Sequence, residues 1–267
     1  MTVANFSSGW LKPPEILSIE REEVHVWLLT LDEYVVYFER FLAWLAPEEL
    51  ERVWRYYFQK DRERFAVARA MVKTILSGYL NVPRTNVKFR YNSFGKPRLA
   101  DPGPADLRFN VSHSGDLALL AVTIKSEVGI DLEYQHREME IEGIASRFFS
   151  AAEVESLTKL PRDLQTEGFF KCWTRKEAYI KAIGEGLSFP LDKFSVSLHP
   201  LKPPELLNVV GNNRETSRWR FWDVSPNLQY AAALVAEGSK LRLSRFQAVA
   251  EVAGVTDSGS SRACRYG

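Results

Sequence analysis

Only two of the 267 residues are cysteine, Cys172 and Cys264, and only four are histidine. Their spacing does not resemble a Cys/His metal site. So few thiols exclude a disulfide framework and fit a reducing compartment, so the expected location is the cytoplasm. No apolar run reaches the ~18 residues of a membrane span. The opening stretch MTVANFSSGWLKPPEIL has no long apolar core, so neither a membrane segment nor a signal peptide is expected. Charge of one sign is also missing. Lys and Arg (35) balance Asp and Glu (34) to a net +1, which removes the global field that draws a protein to nucleic acid or membrane. The nucleophile-elbow pattern GxSxG is absent. GEGL at 184–187 lacks the full GxGxxG and follows a helix rather than a strand, so it fails the dinucleotide-binding context and reads as a helix stop and turn. What remains is ordinary globular composition, 45% apolar and 26% charged, with seven tryptophans. The length suits one large domain or two small ones, with a real core.

The hydrophobic pattern runs through a similar order twice. VHVWLLTL (24–31) reads as a strand, LAPEELERVWRYYF as a helix with Pro47 in its first turn, and DRERFAVARAMVKTILSGYL (61–80) as a second helix. Phe65, Ala68, Val72, Ile75 and Leu76 keep the apolar stripe of that second helix. A short strand and a turn at Gly95 follow, then two strands in LRFNVSHSGDLALLAVTI. After the strand VGIDLE, TEGFFKCWTRKEAYIKAIGEGL (166–187) is a helix, LDKFSVSL (191–198) a strand, and SRWRFWDVSPNLQYAAALVA (217–236) two more strands. The offset between copies is about 105 to 111 residues. This predicts a duplicated α/β unit with a ligand cleft between two lobes. The expected organisation is an N-terminal arm (1–20), an N-terminal lobe (21–125), a C-terminal lobe (126–240) and a flexible tail (241–267).

Four stretches carry candidate chemistry. In GIDLE (129–133), strand alternation puts Asp131 and Glu133 on one side. Two like charges there are either a solvated edge or a cation site. In the helix at 169–183, Glu177 and Lys181 flank the stripe of Phe169, Phe170, Trp173 and Ile180, as an i,i+4 salt bridge or as site residues. If that helix packs on the GIDLE strand, Asp131, Glu133 and Glu177 form an oxygen set suited to Mg²⁺, which takes one or two carboxylates plus phosphate oxygens and water. In FNVSHS, Ser112 and His113 are either a capping pair or phosphate contacts, and in GKP, Lys96 is either a plain turn residue or a point charge for phosphate.

Together these stretches resemble the Sfp-type 4′-phosphopantetheinyl transferases. The likeness rests on VGIDLE and, about 36 residues later, FFKCWTRKEAYIKAIGEGL, with FGKPRL, FNVSHSG and RFFSAAEVESL in the same order, and it runs over roughly residues 24–236. The resemblance implies an α/β (α+β) pseudo-dimer of two similar lobes with coenzyme A between them. It implies a transferase that moves the 4′-phosphopantetheine arm of coenzyme A to a serine of an apo acyl or peptidyl carrier protein and releases 3′,5′-ADP. By motif position it implies Asp131, Glu133 and Glu177 as ligands of Mg²⁺ or Mn²⁺. Glu177 would also be the general base, Lys181 the pyrophosphate partner, and His113 with Ser112 phosphate contacts. Lys96, Arg64 and Arg52 would bind the phosphates of the nucleotide part. Two positions depart from the family pattern: Phe65 stands where a small polar residue is usual, and Glu49 where a basic residue is usual. A single chain with two lobes is expected to act as a monomer, with no nucleic-acid or membrane partner. Three rival readings stay open: a relative that binds without transferring, a different Mg²⁺-dependent phosphoryl-transfer or nucleotide-cleaving enzyme, and a nucleic-acid binder, which the charge balance disfavours.

Overall fold

The first lobe opens with β1 (Glu23–Thr30), whose residues are buried on both faces. Trp27 and Leu29 point into one core, while Val24, Val26 and Leu28 point into another. That is why EVHVWLLT is almost wholly apolar after its first residue. A 3₁₀ turn (Leu31–Tyr37) leads to α1 (Phe38–Leu42), α2 (Pro47–Arg55) and the long α3 (Gln59–Leu80). Helix α3 ends where Asn81 turns left-handed at φ 53°, a conformation that Asn tolerates better than most residues. A short ribbon, β2 (Phe89–Tyr91) and β3 (Pro97–Leu99), precedes the hairpin β4 (Leu107–Ser114) and β5 (Leu117–Ile124).

The second lobe repeats the series: β6 (Val128–Tyr134), α4 (Ile141–Phe148), α5 (Ala151–Thr158) and the long α6 (Arg162–Ile183). Then come the ribbon β7 (Phe194–Val196) and β8 (Leu206–Val209), the short α7 (Glu215–Arg218), and the hairpin β9 (Trp219–Asp223) and β10 (Tyr230–Glu237). The last strand is β11 (Arg242–Gln247). In this computed structural model the described residues are 9–136, 139–186, 189–212 and 214–249.

Leaving aside β11, the extra strand of the first sheet, the two sheets have matching strand orders. The first is β11-β1-β5-β4 and the second β6-β10-β9. β1 lies antiparallel to β5 and β6 antiparallel to β10, so each lobe starts with a strand that pairs with its own last hairpin strand. Helix α3 covers the outer face of the first sheet and α6 that of the second, each over its own apolar cluster. A third cluster joins the inner faces, with Val24, Val26, Leu119 and Ala121 against Ile130, Leu132 and Leu234. The fold is thus an α/β pseudo-dimer of two similar lobes, as the sequence pattern predicts. Among the described residues, no helix is long and apolar enough to cross a membrane.

One boundary differs. The sequence reading places 241–267 in a flexible tail, but Arg242–Gln247 form β11, parallel to β1 from Glu23 opposite Arg242 to Leu28 opposite Gln247. The physical reason is the Phe246 ring, which lies 5.2 Å from Trp27 and 5.1 Å from His25 and seals the edge of β1. Part of the expected N-terminal arm joins the same strand, where Leu11 N–H donates to Arg245 O (2.9 Å) and Leu11 O accepts from Gln247 (3.0 Å). Residues 250–267, with Cys264, lie outside the described residues.

Candidate active site

The two lobes meet along β4 and β6, which are edge strands of different sheets. Side chains take the place of ladder partners there. Asn110 Oδ1 accepts from Ile130 N–H (2.8 Å), Ser112 Oγ from Leu132 N–H (3.3 Å), and Ser114 Oγ from Tyr134 N–H (3.0 Å). Asn110, Ser112 and Ser114 sit at every second position of FNVSHS, so one face of β4 satisfies one edge of β6. The polar alternation was visible in the sequence, but its use as an inter-lobe seam was not.

That seam fixes the acids. Asp131 and Glu133 share a face of β6, and Glu177 and Lys181 project from α6, which packs across the same strand. The approach is close because residue 129 is glycine: the backbone at Ala178 and Ala182 lies where a side chain would begin. All four groups line one cleft of about 500 Å³, together with Ser112, His113, Arg52, Phe65, Arg69, Tyr91 and Trp173. Ser112 donates to Asp131 Oδ1 (3.0 Å) and Ser114 to Glu133 (3.2 Å). Lys181 Nζ lies 2.6 Å from Asp131 Oδ1 and also donates to Ser112 Oγ (3.0 Å).

The electrostatics are those of a carboxylate cluster short of positive charge. Burial, then the neighbouring Asp131, pushes Glu133 up to about 7. Burial and Asp131 also raise Glu177, against the opposing pull of Lys181. His113 has its ring open to the cleft, yet the surrounding protein and then the Lys181 charge lower its pKa, so the imidazole is neutral at pH 7.

The donor set fits a divalent cation by type, since carboxylate oxygens are what Mg²⁺ and Mn²⁺ prefer. Asp131 Oδ2 is fully buried and has no hydrogen-bond partner, a costly state for a carboxylate oxygen that a bound cation would relieve. Among the described residues, no three His, Cys, Asp or Glu side chains already close on one point. The Lys181 ammonium instead supplies the positive charge beside Asp131.

Two expected phosphate-binding residues are not brought to these acids. Arg64 makes a bidentate pair with Asp32, Nε to Oδ1 at 2.7 Å and a second nitrogen to Oδ2 at 2.8 Å. It lines a neighbouring depression instead, reaching the cleft's surroundings only through the shared Phe65 and His113. The turn of Lys96 lines the cleft through Gly95 and Pro97, but the Lys96 side chain turns the other way, into a separate hollow with Arg90, Arg98, Arg108 and Glu127. Arg52 is in the cleft, its guanidinium 5.0 Å from the centre of the Phe65 ring.

Arg69, not foreseen from the sequence, stands on the same wall. It is stacked 4.8 Å over Phe89 and donates to Tyr91 Oη (3.3 Å). The signal was a lone arginine one turn after Phe65 inside an apolar stripe. The departure at Glu49 belongs to the same arrangement. Its buried carboxylate caps Ala46 N–H (2.8 Å) and sits 3.0 Å from Lys73 and 3.6 Å from Arg69, so it holds Arg69 at the cleft.

Residues 127–235 match a family model described as the 4′-phosphopantetheinyl transferase superfamily, and residues 33–125 one described as 4′-phosphopantetheinyl transferase, N-terminal. The 4′-phosphopantetheinyl transferase HetI of Nostoc sp. is 38% identical over 230 residues, 86% of this chain and 94% of that protein. The 4′-phosphopantetheinyl transferase Sfp of Bacillus subtilis is 37% identical over 161 residues, 60% of this chain and 70% of that protein. The solved holo-[acyl-carrier-protein] synthase of Thermotoga maritima overlaps 42% of this chain and 63% of its own, at 23% identity and a TM-score of 0.34, an overlap too slight to bear on this site.

Proposed function

The chain belongs to the 4′-phosphopantetheinyl transferase superfamily, and from that premise we propose that it moves the 4′-phosphopantetheine arm of coenzyme A to a serine hydroxyl of an apo acyl or peptidyl carrier protein. The serine oxygen forms a bond to the β-phosphorus of the pyrophosphate, the bridging P–O bond breaks, and 3′,5′-ADP leaves with the bonding pair. The cleft lies within one chain, so the protein acts as a monomer. What supports the reading is the meeting of Asp131, Glu133, Glu177 and Lys181, from two distant motifs, in one cleft beside His113 and Ser112.

Asp131, Glu133 and Glu177 hold Mg²⁺ or Mn²⁺ in this reading. Held there, such an ion would supply positive charge for the pyrophosphate oxygens. The chain's own groups do the rest. Lys181 moves from Asp131 towards the phosphate oxygens, a shift within reach of a flexible four-carbon stem. Neutral His113 donates an N–H to a phosphate oxygen. Glu177 takes the serine proton, directly or through a water, as a carboxylate placed at the edge of the same cleft. Arg52 and Arg69 face the anionic nucleotide end from the opposite wall.

The test is intact mass spectrometry of an apo acyl carrier protein after incubation with this protein, coenzyme A and Mg²⁺. The expected result is a gain of one phosphopantetheine group, abolished by EDTA, restored by Mg²⁺ or Mn²⁺, and absent with Asp131→Asn. Coenzyme A binding with no gain on several carriers would favour a binding-only protein. Cleavage of coenzyme A without an acceptor would favour a hydrolase.

A further inference from the structure

The loop between β2 and β3 carries two side chains that the transfer chemistry leaves unused. Asn92 Oδ1 accepts from the N–H groups of Phe94 (3.0 Å) and Lys96 (2.8 Å), which sets the turn in which Gly95 has φ +82°. Asn92 Nδ2 donates across the lobes to Gly184 O (2.9 Å), at the C-terminal cap of α6. Lys96 Nζ reaches three acceptors: Ala182 O in the last turn of α6 (3.2 Å), Val128 O at the start of β6 (3.2 Å), and Glu127 Oε2 (3.4 Å). An ammonium has three donors, and each has an acceptor here. The Lys96 side chain is only 9% exposed. Glu127 is shared with Arg98 (3.1 Å) and Arg108 (2.7 Å), whereas Lys96 also reaches the two backbone carbonyls. A cation on last-turn carbonyls also complements the negative end of a helix.

The strand and helix joined in this way are the two that carry the site. Val128 precedes Asp131 by three residues, and Ala182 follows Lys181 directly. Between these points runs the backbone contact of Gly129 with α6. We propose that Lys96, with Asn92, is a positioning residue: it clasps the end of α6 to the start of β6 and so fixes Glu177 and Lys181 relative to Asp131 and Glu133. The proposal rests on the transferase reading above and replaces the expected phosphate contact of Lys96 with a different role.

The two roles differ in their kinetic signatures. Lys96→Met keeps the stem and removes the ammonium. Steady-state transfer gives kcat and the KM for coenzyme A, and electron paramagnetic resonance of Mn²⁺ titrated into the protein without coenzyme A gives metal affinity. The clasp predicts that kcat falls and the Mn²⁺ dissociation constant rises, each about tenfold, the scale seen when outer partners of metal ligands are lost. The KM for coenzyme A stays within about twofold, because no ground-state contact to it is removed. A raised KM with kcat and Mn²⁺ affinity unchanged would make Lys96 a phosphate ligand and overturn the clasp, and so would no change in any of the three. If Lys96→Met does not fold, Asn92→Ala at a half-buried position removes the second arm and must lower kcat and Mn²⁺ affinity while sparing KM; failure to do so overturns the proposal. Absence of both transfer and Mn²⁺ binding in the unaltered protein would remove the transferase reading itself, an outcome distinct from these.

Discussion

Gly129→Ala tests the geometry on which the site depends. A Cβ at this position falls well inside van der Waals contact of Ala178 O and Ala182 N and lies 2.9 Å from Lys181 C. All three atoms belong to the backbone of α6, so no side chain can rotate out of the way. Carbon contacts are comfortable only at about 3.5–4.0 Å, so β6 and α6 must part by more than about 1 Å. Overpacking of this kind costs about 1–3 kcal/mol, and a backbone clash belongs at the upper end. At about 2–4 °C per kcal/mol for a chain of this size, about 3 kcal/mol lowers Tm by roughly 6–12 °C. The same displacement separates Asp131 and Glu133 from Glu177 and Lys181, and a 1 Å error in a catalytic constellation costs about 100-fold in rate. Calorimetry reads the first effect and carrier modification the second. Gly168→Ala is the control on the same helix: its close neighbour is a Leu160 methyl, which can turn aside, and Ala is the better helix former by about 1 kcal/mol. A Gly129→Ala protein with Tm within about 2 °C of the parent and an unchanged rate would refute the claim that backbone contact sets the spacing of the acids.

Two further outcomes are expected. Arg69→Gln removes a guanidinium from the cleft wall and raises the KM for coenzyme A about tenfold, the worth of one charge-assisted hydrogen bond of about 1.5 kcal/mol, with kcat little changed; an unchanged KM in a steady-state titration would remove Arg69 from the binding wall. Stability should fall as pH drops from 7 towards 5, in part through His25, which lies at the β1–β11 joint with Nδ1 2.7 Å from Tyr79 Oη and whose pKa burial lowers from 6.5 against the pull of Glu23. The unfolded imidazole takes up its proton first, so this contribution is complete above pH 6.5 and is lost below it. Chemical denaturation should show a shallower loss in His25→Gln than in the parent, and equal slopes would refute the assignment.

The sequence was most legible where the pattern is local. VGIDLE and KEAYIK are each short, each lies on one element, and strand alternation and helical spacing suffice to put their acids on one face. The doubled order of helix, ribbon and hairpin could be read for the same reason. What could not be read depends on partners far away in the chain. Arg64 looks free until Asp32 is folded against it. Lys96 looks presented to solvent until the end of α6 arrives and offers Ala182 O. Glu49 looks like a lost cation contact, yet it organises Arg69 and Lys73 from a neighbouring helix. RLSRFQ looks polar and tail-like because four of its six residues are Arg, Ser or Gln, and it becomes a strand through its ladder to β1, with Leu243 packed on the third apolar cluster and Phe246 on Trp27.

That last strand has a consequence for how the molecule comes into being. β1 leaves the ribosome before the second lobe, but β11, which covers its outer edge, emerges only after the whole of that lobe. Until then the nascent first lobe carries an unpaired edge on a strongly apolar strand, the kind of surface that templates aggregation. Closing it pairs residues from opposite ends of the fold, Glu23 with Arg242, and is therefore a slow step. The two lobes are similar in plan but not independent in fate: a fragment cut between β5 and β6 leaves the first sheet without its fourth strand. A chaperone that holds β1 would have to wait for the second lobe and β11 before letting go.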